Sequence, residues 1–259
     1  MQQPAVPAAP SPLPHLERKW SVVIGTVDRT PGPNYLGATL QSLRRSVAHL
    51  DVQVVDGGSP DPTGFAKREH VWCNGVTFHP SLRRLTRNEN GVRCLEVGVA
   101  SGAEWILFLE DDLEVCADLL GSVDRWVDDH VRPTGVPTLY SVYCPFGRAV
   151  AEAVGGQWTY PLQIFNGCQA FALRSSDASG ALDYLRRALP GWGSPGGFDR
   201  LLSAWLLACG GHLIASVPSF VQHVGYRTAM GYPHWHQSPT WPGPEWRYPA
   251  GLDSQAAAG

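Results

Sequence analysis

Two apolar runs stand out because they lack the polar alternation of a half-exposed strand: residues 20–26, WSVVIGT, and residues 105–109, WILFL. Each reads as a short strand buried on both faces, the habit of a parallel sheet covered by helices. Between them the period changes. Asn34 is placed to cap a helix whose Leu36, Leu40, Leu43, Val47 and Leu50 recur every three or four residues on one face. A second strand, DVQVVD at 51–56, and the turn-rich GGSPDPTG follow, completing a βαβ unit and implying parallel pairing. Further on, the pattern predicts a strand at 76–78, a basic stretch of Arg83, Arg84 and Arg87, and a helix capped by Asn90 that carries Val92, Leu95 and Val99 and ends at Gly102.

Beyond residue 109, Leu119, Leu120, Val123, Trp126, Val127 and Val131 make an amphipathic helix stopped at Arg132-Pro133. Strands are expected at 138–143, 164–173 and 212–217, the second of them interrupted at Asn166 and Gly167. Residues 147–160 read as an irregular loop. Helices are expected from Ser176 to about Leu189 and over 198–209, the latter burying Leu201, Leu202, Trp205 and Leu206. No internal repeat is visible. The sum is an α/β fold with a mostly parallel central sheet flanked by helices, in a single domain.

At 259 residues, with 44% hydrophobic and 17% charged residues, the chain is long enough for one large domain, which is preferred to two small ones. That domain is assigned to residues 18–225. The Pro/Ala-rich residues 1–17 read as a disordered leader, and residues 226–259, rich in Pro, Trp and Tyr, as a C-terminal segment either on the acceptor side of a site or partly disordered. The net charge of −3 offers no electrostatic reason for binding nucleic acid or an anionic membrane. A phosphate-bearing ligand would therefore need local cations or a metal. No eighteen-residue apolar run marks a transmembrane segment, and no signal-length run is present, so a cytoplasmic protein is expected. Cys73, Cys94, Cys116, Cys144, Cys168 and Cys209 are too scattered for a zinc motif and read as buried free thiols.

The apolar run at 105–109 ends in three acids, Glu110, Asp111 and Asp112. In an open α/β sheet, ligands gather outside the carboxyl ends of strands, so these carboxylates belong at the rim of a crevice. Hard oxygen ligands there suit Mg²⁺ or Mn²⁺. The alternative is structural, with Asp112 capping a helix near Val115. Thr26 and Arg29, after the first strand, suit a nucleotide's hydroxyl and phosphate groups, or form an ordinary turn. Asp56 and Asp61, after the second, could accept from a base or ribose, or simply shape their turn. His223 could add a nitrogen ligand beside Asp112, or be structural. Asp199 lies in the first turn of its helix, where the dipole favours a carboxylate usable as a general base; capping is the competing role. Trp158, Trp192, Tyr226, Trp235 and Trp241 are candidate sugar-stacking surfaces, or packing residues.

Taken in order, TVDR at Thr26, the segment from Asn90 to Cys94 leading into LEDD at Leu109, GFDRLLSAWL at Gly197 and SFVQHVG at Ser219 resemble the catalytic domain of N-acetylglucosaminyltransferase IV. VQVVDGGSPD at Val52 resembles the second-strand signature of many inverting sugar transferases. The likeness spans roughly residues 20–225. It implies a GT-A (Rossmann-like) fold and inverting transfer of a sugar, GlcNAc from the nucleotide-sugar donor UDP-GlcNAc, to a hydroxyl of a glycan or small-molecule acceptor. It further implies that Asp112 and His223 bind Mn²⁺ or Mg²⁺, that Glu110 and Asp111 flank the metal and the ribose, that Asn90 lies among the donor contacts, and that Asp199 is the base. Trp158, Trp192 and Tyr226 are the acceptor-side candidates. Two departures limit the transfer: Asp56-Gly57 stands where many relatives have two acids, and the membrane anchor and lectin-like module of the animal enzymes are not seen. The competing functions are a nucleotidyltransferase, disfavoured by the glycine-poor TVDRTPGP loop, and a non-catalytic sugar-nucleotide or glycan-binding protein.

Overall fold

A computed structural model describes residues 19–46, 51–73, 75–130, 135–165, 167–191, 197–225 and 237–249. The 1–17 leader, Val47, Leu50, Val131, Asn166, Trp192, Gly196, Tyr226 and Trp235 lie outside them. The chain begins with β1 (Trp20–Thr26), α1 (Leu36–Ser46), β2 (Val52–Asp56), α2 (Pro62–Arg68) and β3 (Val76–His79). α3 (Arg87–Ala100), β4 (Trp105–Glu110), β5 (Leu113–Val115) and α4 (Leu119–His130) come next. The second half holds β6 (Thr138–Ser141), α5 (Ala149–Glu152), β7 (Gln157–Thr159), β8 (Ala170–Arg174), α6 (Ser175–Ala188), α7 (Phe198–Cys209), β9 (His212–Ser216) and β10 (Val221–His223).

The main sheet runs β3-β2-β1-β4-β8-β6-β9-β7. β1 pairs in parallel with both β2 and β4, β2 with β3 and β6 with β9, while β8 runs antiparallel between β4 and β6. The pleat sorts the two apolar runs onto opposite faces. Val22, Ile24, Trp105, Leu107 and Leu109 point into one core with Leu36, Leu40 and Leu43 of α1 and Leu119, Leu120, Val123 and Trp126 of α4. Val23, Ile106 and Phe108 point into the other, with Val92 and Leu95 of α3, Leu182 and Leu185 of α6 and Leu201, Leu202 and Trp205 of α7. Both faces are thus covered, which is why polar alternation is missing from β1 and β4. None of the described helices is long and apolar enough to cross a membrane.

Several expected boundaries are corrected. α3 starts three residues before Asn90, because Thr86 and Glu89 form a reciprocal cap: Thr86 Oγ1 accepts from Glu89 N (3.2 Å) and Glu89 Oε2 accepts from Thr86 N (2.7 Å). Asn34 does not cap α1; its amide ties the preceding loop by accepting from Arg29 N (2.8 Å) and donating to Asp28 (3.0 Å). No helix begins at Val115, since Val115 belongs to β5, antiparallel to β10. The strand expected over 164–173 is only Ala170–Arg174, preceded by a 3-10 turn at Leu162–Ile164. The loop expected at 147–160 contains α5 and β7. Of the six free cysteines, Cys94, Cys116, Cys144 and Cys168 are buried as expected, but Cys73 is half-buried and Cys209 exposed.

Residues 237–249 pack on the domain. Tyr248 is buried among Phe220 and Trp246, and its hydroxyl donates to Asp129 (2.8 Å). Ser238 is bound to the Gln222 side chain through its backbone in both directions, with N donating (2.8 Å) and O accepting (3.3 Å). This stretch therefore braces β10, the strand that ends in His223.

Candidate active site

The acidic triplet sits where β4 turns into β5, and α1 fixes that turn with a row of hydroxyls. Thr39 Oγ1 donates to Asp111 O (2.8 Å) and accepts from Leu113 N (3.0 Å); Ser42 Oγ accepts from Val115 N (3.0 Å); Ser46 Oγ accepts from Leu119 N (2.6 Å). Spaced at three and four residues, these side chains share one face of the helix and satisfy backbone groups that would otherwise be buried without partners. β10 closes the other side, where Val224 N donates to Asp112 O (2.9 Å). No side chain larger than hydrogen fits at residue 225 without displacing something, since a Cβ there would lie 2.4 Å from Asp112 Oδ2.

The three acids have three different environments. Asp111 is buried and consumed internally: Arg29 grips it with two hydrogen bonds (2.9 and 2.5 Å), and Thr26 Oγ1 donates to it (2.5 Å). Burial pushes its carboxyl up to about 6, against the pull of the Arg29 guanidinium. Asp112 is also buried, but there the hydrogen bond and charge of His223, with Arg29 behind them, outweigh desolvation and hold the carboxyl below its ordinary value. His223 Nε2 is 3.2 Å and Arg29 Nη2 3.5 Å from Asp112 Oδ2, while Asp112 Oδ1 is buried with no hydrogen-bond partner. Glu110 is more open and receives Arg87 Nη2 (3.0 Å).

Glu110, Asp112 and His223 can each offer a ligand atom, all within 4.8 Å of one another. Two carboxylate oxygens and an imidazole nitrogen form a donor set suited to Mn²⁺, and the unpartnered Asp112 Oδ1 is the kind of atom a cation would satisfy. The grouping brings Asp112 and His223 together with Glu110, which the resemblance places beside the metal.

The remaining candidates divide between the cleft and the framework. Thr26, Asp56 and Glu110 end the parallel strands β1, β2 and β4, on one edge of the sheet. Asn90 reaches the same edge from α3: its Nδ2 lies 3.4 Å from Thr26 O, and its buried Oδ1 has no partner and could accept from a ligand. Asp56 is fully buried and its carboxylate accepts from Ser59 N and Oγ, the work of a turn former. Asp61 caps α2, accepting from Gly64 N (2.9 Å). Arg29 is occupied by Asp111 rather than free for phosphate. Trp158 is corrected to a core residue, 3% exposed, its ring tilted against Tyr160 and its indole N–H donating to Glu152 (2.8 Å). Trp241 packs half-buried on the core, whereas Trp192 and Tyr226 lie outside the described residues.

Asp199 is buried at the start of α7 and accepts from Arg200 N (2.9 Å). α3 holds this helix end, for Gly91 lies so close to the Phe198 ring that a Cβ would come within 2.6 Å of it. The sequence reading passed over Arg87 as part of a basic stretch. Its position as the first residue of α3 was signalled by Thr86-x-x-Glu89, a capping box missed in favour of Asn90.

No family model and no curated protein matches the sequence. Among solved structures, the chain is similar to GalNAc-T7 with UDP, GalNAc and Mn²⁺ (TM-score 0.54, 16% identity), covering 80% of this chain and 43% of that one. It is also similar to S. aureus TarS 1-349 in complex with UDP-GlcNAc (TM-score 0.52, 16% identity), covering 78% of this chain and 57% of that one. The chain thus spans about half the length of these neighbours. At such identities the likeness speaks to fold, and the fold is that of the GT-A glycosyltransferases.

Proposed function

We propose that the protein is a metal-dependent inverting glycosyltransferase that uses a nucleotide-sugar donor, with UDP-GlcNAc favoured, and an acceptor hydroxyl. The observation that carries the proposal is the convergence of Glu110, Asp112 and His223 at the carboxyl edge of the sheet, with Asp112 Oδ1 buried and unpartnered. The GT-A fold supports it, as do the UDP, GalNAc and Mn²⁺ of the GalNAc-T7 structure and the UDP-GlcNAc of the TarS complex. GlcNAc in particular rests on the sequence resemblance and on the TarS complex.

Glu110, Asp112 and His223 would hold Mn²⁺ or Mg²⁺, whose charge would stabilise the departing diphosphate. Arg29 holds Asp111 and, by its charge, steadies Asp112 in the geometry required. Asn90 offers its Oδ1 to the donor. Asp199 would take the proton from the acceptor hydroxyl as that oxygen attacks the anomeric carbon from the face opposite the leaving group, giving inversion. This contribution arises only as the bond breaks, so it raises turnover rather than tightening the ground state.

The test pairs donor turnover with binding. Asp199→Asn should lower kcat by about a hundredfold or more while donor binding persists. Thermal unfolding should rise with UDP-GlcNAc in Mn²⁺ and lose that rise in EDTA, because only ligand bound to the folded state contributes. Undiminished turnover in Asp199→Asn removes the base assignment, and a donor shift that survives EDTA removes the metal.

A further inference from the structure

Gln169 stands at the head of β8, directly before Ala170, and its backbone is tied to the metal cluster, for Gln169 O accepts from Glu110 N (2.7 Å). On its other side Val142 N donates to Ala170 O (3.1 Å), so the end of β6 and the Tyr143 that follows it flank the residue there. Gln169 is only 8% exposed, and its side-chain oxygen Oε1 is buried without a hydrogen-bond partner. Beside that oxygen lie Gly167, which has no side chain to offer, and carbon atoms of the Tyr143 and Pro145 rings, which cannot donate to it. Among the described residues the framework makes no use of this acceptor. A buried amide oxygen left unpaired destabilises the free protein, and a ligand that donates to it removes that cost.

The order of the strands decides which part of a donor this atom meets. β1, β4 and β8 are neighbours in the sheet, and at the edge where β1 and β4 end and β8 begins they carry, in turn, Asn90 against Thr26 O, then Glu110, then Gln169. Adjacent strands lie about 4.8 Å apart, so Gln169 is one step beyond the metal cluster on the side away from Asn90. A diphosphate held at the metal therefore sends one end of the donor towards β1 and the other towards β8. α7, with the proposed base Asp199 in its first turn, begins on the β4–β8 side, where Phe198 packs on Phe108 (ring centroids 6.0 Å) and Phe171 (6.5 Å). The anomeric carbon must lie within reach of the acceptor deprotonated there, which puts the sugar on the β8 side and the nucleoside on the β1 side. We infer that Gln169 is a specificity-determining residue whose Oε1 accepts a hydrogen bond from a hydroxyl or the acetamido N–H of the transferred sugar. The sugar ring oxygen and the diphosphate offer only lone pairs and do not match it. The inference rests on the glycosyltransferase reading and adds to it a residue that reads the sugar.

The experiment measures the binding of UDP and of UDP-GlcNAc in Mn²⁺ by isothermal titration calorimetry, with thermal unfolding of the free protein, for wild type, Gln169→Met and Gln169→Asn. Methionine keeps the length of the arm and removes its polar end. In Gln169→Met the affinity for UDP-GlcNAc should fall about three- to tenfold, the loss of one neutral hydrogen bond, while that for UDP, which carries no sugar, stays within about twofold. The free protein should unfold no lower than wild type, because an apolar end in place of an unpaired acceptor removes a burial penalty and breaks no bond. Gln169→Asn, whose arm is one methylene shorter, should show the same selective loss, and it carries the comparison if Gln169→Met does not fold. An unchanged affinity for UDP-GlcNAc in the variants overturns the inference. So does an equal weakening of UDP and UDP-GlcNAc together with a lower melting temperature, which marks a framework residue. If wild type binds neither UDP nor UDP-GlcNAc in Mn²⁺, the glycosyltransferase reading fails first and this inference falls with it; a wild type that binds both, with their ratio unchanged in the variants, removes Gln169 alone.

Discussion

Gly225→Ala is a one-methyl perturbation aimed at the metal cluster without replacing any proposed ligand. The added Cβ would stand 2.4 Å from Asp112 Oδ2, 2.9 Å from its Cγ and 3.0 Å from its Cβ, where ordinary contact begins near 3.4 Å. Asp112 cannot retreat as a unit, because Val224 N holds its carbonyl at 2.9 Å and Thr39 holds that of Asp111. The carboxylate must therefore turn aside by about 1 Å, twice the tolerance of roughly 0.5 Å within which a ligand constellation works. Overpacking of this kind costs about 1–3 kcal/mol of stability. Mn²⁺ affinity should fall by about 10–100-fold, the usual effect of disturbing the shell that orients a ligand. Titration of Mn²⁺ by electron paramagnetic resonance measures the affinity, and circular dichroism on heating measures the stability. Gly147→Ala, whose Cβ would meet only Pro239 Cγ at 3.9 Å, is the control that should leave both unchanged. Mn²⁺ binding in Gly225→Ala within twofold of wild type would refute the reasoning, for Asp112 would then be either free to move or no ligand.

Two further expectations test the framework around the site. Gly91→Ala drives a methyl to 2.6 Å from the Phe198 ring, so it should lower the melting temperature through a penalty of about 1–3 kcal/mol and reduce kcat more than donor affinity; a variant with normal kcat would show that the start of α7 is not set by α3. Tyr248→Phe removes the hydroxyl bonded to Asp129 and should cost about 1 kcal/mol by urea unfolding, whereas no change would place residues 237–249 outside the cooperative domain.

Periodicity alone was enough for the long elements and for the class of fold, though not for the short α2, β5, α5, β7 and β10. The doubly apolar runs of β1 and β4, the Leu36, Leu40, Leu43 stripe of α1 and the strand-helix-strand spacing each reflect local chemistry meeting a two-sided or one-sided core. Glu110, Asp111 and Asp112 were legible as a rim for a related reason: acids directly after a buried strand have nowhere to go but its carboxyl edge. Trp158 was misjudged because an aromatic residue in a loop-like sequence carries no mark of burial, and it went to the core beside Tyr160.

The division of labour among the three acids came only from contacts distant in sequence. Which of them is consumed by Arg29, which is left with a bare oxygen and which faces Arg87 depends on residues far away in the chain, Arg29 82 positions from Asp111 and His223 lying still farther from Asp112, and neighbouring carboxylates look alike until their partners are known. His223 meets Asp112 because β10 pairs with β5, a two-strand association between segments too short to be called from period. The hydroxyl row of Thr39, Ser42 and Ser46 and the Arg87–Glu110 ion pair are of the same kind. Local sequence fixes how each segment folds because backbone sterics and apolar burial act within a few residues. The active geometry is set where those segments meet, by hydrogen bonds and charges that exist only once the chain has closed on itself.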